Sequence, residues 1–334
     1  MDHPLFIVGN DRSGTTMLRL ILDAGPEIAI PPESMILTDY GAVQQGGELG
    51  DRAIAQRFMA EVWHHPKIAL WQLSGPPPEV PPGLDHASAY RFVMQAPFRA
   101  YAAQAGKPRW GDKTPHYVHH IAALLDVWPR ARFVILVRDG RDVALSVRRM
   151  PFGPNNAWAA ASWWARGIRA GQAAAAAHPE AVMTVRYEDL VADPQRRVPE
   201  ICAFAGLTFA PEMLAIEKAD RAKIVADQTG WFPGLFDGIH TAASGRWQRE
   251  MPARDQRIFA SLAGPELRAF GYPPGPGRPP LAGWQERLLH WHNQTMRQVN
   301  FVRLRVFQER GRELRHALER RMRPEGQRGR RVRR

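Results

Sequence analysis

Cysteine is nearly absent: Cys202 is the only one. One thiol cannot close an internal disulfide, which excludes a disulfide-stapled scaffold and points to a reducing compartment. Long apolar runs are also missing. No stretch approaches the roughly eighteen uninterrupted apolar residues of a membrane span. The first apolar run begins at Pro4 without a basic lead and stops at Gly9, unlike a secretory leader. The expectation is a cytoplasmic, bacterial-type protein with at most peripheral contact to a membrane. Lysine is scarce, five of 45 basic residues, so a single arginine is a weak signal in this arginine-biased chain. Basic charge is concentrated at one end: residues 285–334 hold fifteen arginines against five glutamates. That surplus of ten leaves +2 of the net +12 for everything before it. The high isoelectric point therefore describes a tail and not a whole surface, and no sequence-specific nucleic-acid binding is expected.

What is present suits a soluble α/β protein. The 334 residues, 45% hydrophobic, suffice for one large domain or two ordinary ones. Residues 5–8, 133–137 and 182–185 are short runs rich in Val, Ile and Leu. Each is followed by a turn and a helix-like pattern, as buried parallel strands are. Residues 109–112 add a short fourth strand. Helical patterns occupy about 16–24, 87–105, 116–127, 142–149, 156–177 and 194–205. The alternation predicts a parallel sheet covered by helices on both faces. Proline-rich stretches at 74–83 and 272–280 read as a surface loop and a boundary. The division expected is an α/β domain over 1–272, a linker over 273–283 and a basic helical tail over 284–334, its last ten residues disordered. In the tail, Met296, Val299, Val302 and Val306 fall at helical spacing, as do Phe307, Leu314 and Leu318. The simplest reading packs that stripe on the body and leaves an arginine face in water. The alternative is contact with an anionic membrane or an acidic partner.

Residues 9–16 read GNDRSGTT after the first strand. The glycine spacing is that of a nucleotide-triphosphate loop, G-x-x-x-x-G-K-[ST], but Thr15 stands where the lysine belongs. Successive backbone N–H groups and a helix N-terminus can still wrap an anion. Ser13, Thr15 and Thr16 can add hydroxyl donors, Gly14 permits the tight turn, and Arg12 supplies fixed charge. Without the lysine that reaches the β and γ phosphates, a triphosphate is the poorer ligand. Read by itself, the loop is equally a tight turn whose hydroxyls cap a helix.

RSGTT behind a strand resembles the 5′-phosphosulfate loop of sulfotransferases that use 3′-phosphoadenosine-5′-phosphosulfate (PAPS). It is more similar to the tyrosylprotein and carbohydrate branches than to the cytosolic small-molecule branch. Residues 132–146, RFVILVRDGRDVALS, carry a strand-end arginine and a helix serine. The resemblance implies that Arg138 and Ser146 bind the 3′-phosphate. Chemistry agrees, since the guanidinium fork suits a phosphate and α/β sheets bind ligands at their carboxyl edge. An ion pair of Arg138 with Asp139 or Asp142 is the bland alternative, and a Walker-B strand is another. VRYEDL (185–190) resembles the strand and turn beside the nucleotide, with Tyr187 near the adenosine or simply in the core. SGRW (244–247) resembles the segment closing over the cofactor, with Arg246 as a phosphate ligand.

Sulfuryl transfer needs charge stabilisation on the sulfuryl oxygens and a base for the acceptor hydroxyl. The resemblance implies Glu33 of PPES (31–34) as the base, and Lys113 of WGDKTP (110–115) as a charge stabiliser beside Arg12. No metal is required. The cytosolic branch has a histidine base after a lysine–threonine pair; here Pro115 takes that place and His116 follows, a secondary candidate. His116, His119 and His120 also have helical metal-ligand spacing, but no acidic third ligand stands nearby. The reading is thus a sulfotransferase fold, a P-loop-like parallel sheet with a basic helical extension. It is expected to transfer a sulfuryl group from PAPS to a hydroxyl of a glycan, peptide tyrosine, lipid or small molecule. A P-loop kinase, and an anionic-surface binder working through the tail, are the competing readings. Oligomeric state is left open.

Overall fold

A computed structural model describes residues 3–148, 150, 153–218, 234–275 and 283–322, with side chains of the last helix described to residue 302. Five parallel strands form one sheet: β1 (Leu5–Gly9), β2 (Ile28–Ala29), β3 (Arg109–Lys113), β4 (Arg132–Val137) and β5 (Val182–Arg186). Their spatial order is β2-β3-β1-β4-β5, so β1 is central, with Ile7 opposite both Lys113 and Val134. Side chains of a strand alternate between faces, and they do so here. Phe6, Val8, Phe133, Ile135 and Val137 join one core cluster, whereas Leu5, Ile7, Val134 and Leu136 join a second. A sheet buried on both faces explains why these strands read as unbroken apolar runs.

The main helices are α1 (Thr15–Asp23), α2 (Arg52–Trp63), α3 (His86–Gln104), α4 (Ile121–Val127), α5 (Gly140–Val147), α6 (Ala157–Ala177), α7 (Tyr187–Ala192), α8 (Pro194–Ala205), α9 (Ala253–Ala269) and α10 (Gly283–Met322). Their starts follow from side-chain caps. Asp85 accepts from Ser88 N at 2.7 Å, Asp139 from Arg141 N at 3.0 Å and Asn156 from Ala159 N at 2.9 Å. The Asp139 cap starts α5 ahead of the expected residue 142.

Three departures from the sequence reading have local causes. The helix expected over 116–127 is a 3-10 turn, Pro115–His119, followed by α4, with His120 at φ −128 between them. Tyr117 is pinned there, its hydroxyl accepting from Leu37 N at 3.0 Å. β2 has only two residues, too few to show a period. α9 carries Gly264 and Pro265 in its interior, residues that read as breakers, and it packs along α6 nonetheless. At the expected boundary, Tyr272 is buried and Pro273 O accepts from Arg141 Nη1 at 2.8 Å, so both still belong to the body. Most of the expected linker (276–282) and the last ten residues lie outside the described residues. No described helix is long and apolar enough to cross a membrane.

Candidate functional site

The carboxyl edge of the sheet gathers the loop after β1, the end of β3 and the turn after β4. In the first loop Arg12 sits at φ 71 and Gly14 at φ 96, both left-handed. A Cβ on Gly14 would lie 2.6 Å from Tyr187 Cδ2, so only glycine lets the loop pass this ring. Thr15 and Thr16 then open α1, whose first turn has no side-chain cap. Ser13 is buried, and its Oγ has no hydrogen-bond partner. A buried hydroxyl without a partner is costly unless a ligand completes it.

Arg138 leaves β4 toward this loop. Its Nη1 donates to Arg12 O at 3.1 Å, its Nη2 donates to Ala243 O, and its Nε is buried without a partner. The Tyr187 ring lies beneath its guanidinium at 4.5 Å, so Tyr187 is a wedge between Gly14 and Arg138. Arg12 Nε in turn donates to Ser146 Oγ at 3.0 Å, across the two loops. The hydroxyl accepts that bond and keeps its own proton to donate elsewhere. Burial and the nearby Arg138 charge both lower the Arg12 pKa, which marks two cations drawn together out of water.

The carboxylates near Arg138 are engaged elsewhere. Asp139 holds Arg141 in a two-pronged pair at 2.7 and 2.9 Å. Asp142 accepts from Gly245 N at 2.7 Å and Trp247 N at 2.8 Å, fastening the SGRW segment to α5. The ion pairs weighed for Arg138 are therefore not formed. In that segment, Ser244 Oγ is buried without a partner, and Arg246 is paired with Glu250 at 2.7 and 2.8 Å. The guanidinium of Arg246 is thus turned along its own short helix.

Glu33 and Lys113 form an ion pair. The lysine side chain is 5% exposed and the glutamate 36%, so the carboxylate is the member open to a substrate. Burial lowers the Lys113 pKa, against the raising effect of Glu33. Arg19 Nη1 donates to Ile30 O at 3.0 Å and Ile30 N donates to Asp23 Oδ1 at 2.9 Å, fixing the chain as it enters the two prolines before Glu33. Next to this pair, Ser34 Oγ, one residue after Glu33, donates to Asp112, one residue before Lys113, at 2.8 Å. Thr114 Oγ1 donates to the same carboxylate at 2.8 Å. Asp11 adds a second carboxylate beside this pair. Its pKa is pushed up to about 6, first by burial and then by the Glu33 charge.

The structure thus brings Arg12, Ser13, Gly14, Arg138, Ser146 and Tyr187 together, with Glu33 and Lys113 joined to each other near Arg12. Sequence reasoning missed Asp11, although it lies inside the quoted loop. It weighed Asp142 only as an ion-pair partner of Arg138 and missed its actual partners, backbone amides about a hundred residues away. The pairing of Arg246 was signalled by Glu250 at i+4. His116 is exposed, and its ring lies tilted against those of His119 and His120, with centroids at 5.2 and 5.5 Å. Among the described residues, no group of three His, Cys, Asp or Glu side chains could hold a metal ion.

Comparisons with known proteins bear on this geometry. Protein-tyrosine sulfotransferase 1 of Danio rerio is 24% identical over 307 residues, covering 83% of this chain and 76% of that protein. Nodulation protein NoeE of Sinorhizobium fredii is 24% identical over 285 residues, covering 78% and 64%. Among solved structures, the sulfotransferase domain of the Synechococcus PCC 7002 olefin synthase superposes with a TM-score of 0.54 at 24% identity. It covers 81% of this chain and 96% of that domain, a likeness of fold. The model of a sulfotransferase family matches residues 4–211, which take in both arginine loops and the Glu33–Lys113 pair. Spanning most of the chain, that match makes this protein a member of the sulfotransferase family and a PAPS-dependent enzyme.

Proposed function

We propose that the loop over residues 9–16 and Arg138 together hold the donor nucleotide, and that Glu33 and Lys113 serve the acceptor. The 5′-phosphosulfate would lie over the loop amides with Arg12, Ser13, Gly14, Thr15 and Thr16. The 3′-phosphate would meet Arg138 and Ser146. The carrying observation is the contact between the two loops: Arg138 reaches Arg12 O while Arg12 reaches Ser146. Three buried polar atoms without partners, Ser13 Oγ, Arg138 Nε and Ser244 Oγ, fit an anionic ligand with many acceptor oxygens. PAPS supplies the sulfuryl group and a phosphate leaving group. Tyr187 is assigned a wall of this cleft, and Arg246 a peripheral place until its pair with Glu250 is released.

On the acceptor side, Glu33 takes the hydroxyl proton as general base, and Lys113 orients that carboxylate while countering charge at the sulfuryl group. The acceptor is a hydroxyl. Relatives named protein-tyrosine sulfotransferases make a phenol the first acceptor class to test. The sequence reading's kinase alternative gives way to family membership, in keeping with the missing loop lysine. A cytoplasmic site of action is proposed on the single buried Cys202.

Calorimetric titration tests the donor site. Adenosine 3′,5′-bisphosphate is expected to bind without added metal, and Arg138→Ala to weaken it by roughly ten- to a hundredfold, as loss of a charged hydrogen-bond pair does. Glu33→Gln is expected to bind it within about threefold of the parent and to lose at least a hundredfold in turnover of a phenolic acceptor. ATP–Mg²⁺ binding as tightly, with no response to Arg138→Ala, overturns the assignment.

A further inference from the structure

Among the described residues, seven large apolar side chains are notably exposed, and six of them lie on α10. Trp284 is 63% exposed, Leu288 55%, Trp291 66% and Val302 58%. With about 3.6 residues per turn, these four fall in one sector of the helix. The opposite sector holds most of the hydrogen bonds with the body, and His290 and His292 flank it, the first edge-on to the Trp158 ring and the second beside Asn156. Asn293 Oδ1 accepts from Asn155 N at 2.9 Å, Asn300 Nδ2 donates to Asn155 Oδ1 at 2.9 Å, and Asn156 Nδ2 donates to Leu289 O at 2.8 Å. Of the stripe expected to pack inward, Met296 is half-buried while Val299 and Val302 are exposed, and Val306, Phe307, Leu314 and Leu318 lie outside the described side chains. The helix is docked by its polar side and presents its apolar side.

A face carrying two tryptophans and a leucine does not remain in water without cost. The charge of the segment decides what covers it. Residues 285–334 carry fifteen arginines and five glutamates, and thirteen of those arginines follow the exposed face in sequence, beyond residue 302 and outside the described side chains. A second copy meeting this helix would bring two such surpluses together. An anionic lipid surface instead satisfies both features: arginines meet phosphate headgroups, and indole rings sit at the depth where aromatic belts form. We propose that α10 lies in the interface of an anionic bilayer, with Trp284, Leu288, Trp291 and Val302 entering it. The observations behind this inference are separate from those behind the sulfuryl-transfer site.

Vesicle flotation of the full chain tests it. Vesicles of phosphatidylcholine mixed with phosphatidylglycerol are expected to carry the protein at least roughly tenfold better than phosphatidylcholine alone, with binding that falls as salt is raised. The double variant Trp284→Ser/Trp291→Ser removes exposed rings, and it is expected to lose most of this binding while adenosine 3′,5′-bisphosphate binding is unchanged. Three results overturn the proposal: no preference for anionic vesicles, binding untouched by the double variant, or, without vesicles, a dimer seen by light scattering that the double variant dissociates. The last would assign the face to a second copy.

Discussion

Replacing Asp112 by asparagine probes the floor beneath the Glu33–Lys113 pair. Asp112 is buried and accepts hydrogen bonds from Ser34 and Thr114, each at 2.8 Å. Burial pushes its pKa from 3.8 to about 7, against the lowering effect of those two hydroxyls and Lys113. A carboxyl whose folded pKa is raised holds its proton more tightly in the native state. Its contribution to stability is complete below 3.8 and is lost as pH rises through about 7. At about 1.36 kcal/mol per unit, the whole effect is on the order of 4 kcal/mol. Asparagine can accept from one hydroxyl and donate to the other, so it keeps both bonds without a charge to bury. Denaturant unfolding of parent and Asp112→Asn should be compared at about pH 5 and about pH 8. The parent is expected to lose roughly 2–3 kcal/mol more than the variant over that interval. Asp11, raised to about 6, titrates in the same direction, but it is present in both proteins and cancels from the difference. Equal pH slopes in the two proteins would refute the assignment of this cost to Asp112.

Gly14→Ala forces a Cβ to within 2.6 Å of Tyr187 at φ 96; unfolding free energy is expected to fall by roughly 1–3 kcal/mol, measured by denaturant titration, with weaker bisphosphate binding. Asp142→Ala releases the amides of Gly245 and Trp247, so limited proteolysis within 241–250 should quicken and bisphosphate affinity should drop by about tenfold. Lys113→Met leaves the loop after β1 intact. It is expected to retain bisphosphate binding by calorimetry and to lower turnover by at least roughly a hundredfold.

The parts of this site that could be read from sequence are those whose chemistry is contiguous. The loop over 9–16 and the stretch over 132–146 each carry strand, turn, donor and helix in a single run, and a fully buried strand advertises itself by its unbroken apolar run. The parts that could not be read are side-chain partners far apart in the chain. Asp139 and Asp142 stand beside Arg138 in sequence and were the alternative partners to a phosphate for its guanidinium. In the fold, one turns to Arg141 and the other to backbone amides of residues 245 and 247. Spacing along the chain says which groups are near, not which lone pair they use. The tail shows the same limit. Helical periodicity identified an apolar stripe in α10 but not the side by which the helix docks, because Asn155 and Asn156 lie far away in sequence and hold it by its polar face.

How the fold disposes of carboxylates also explains how one cleft can serve two kinds of charge. Around Arg138, each nearby acid is committed to a structural partner: Asp139 to Arg141, Asp142 to two amides, and Glu188 to Tyr272 at 2.6 Å and to Asp139 N at 3.0 Å. No carboxylate is thereby hydrogen-bonded to Arg138, though the Asp142 charge still acts on it from nearby, and its buried Nε and the orphaned hydroxyls are left with donors to offer an anion. Around Lys113 the opposite holds, with Asp11 and Glu33 both close and their charges raising its pKa against burial. Arg12 lies between the halves: Arg138 lowers its pKa, while Asp11 and Glu33 raise it. An anion settling beside Arg12 would relieve the repulsion between the two guanidiniums, and its own charge would raise the pKa of Asp11 further. Donor binding and proton uptake by Asp11 are therefore linked. Bisphosphate affinity is expected to strengthen as pH falls through about 6, where Asp11 titrates. An affinity that stays flat across that range in calorimetry, with Asp11→Asn no different from the parent, would break the link between the two halves of the cleft.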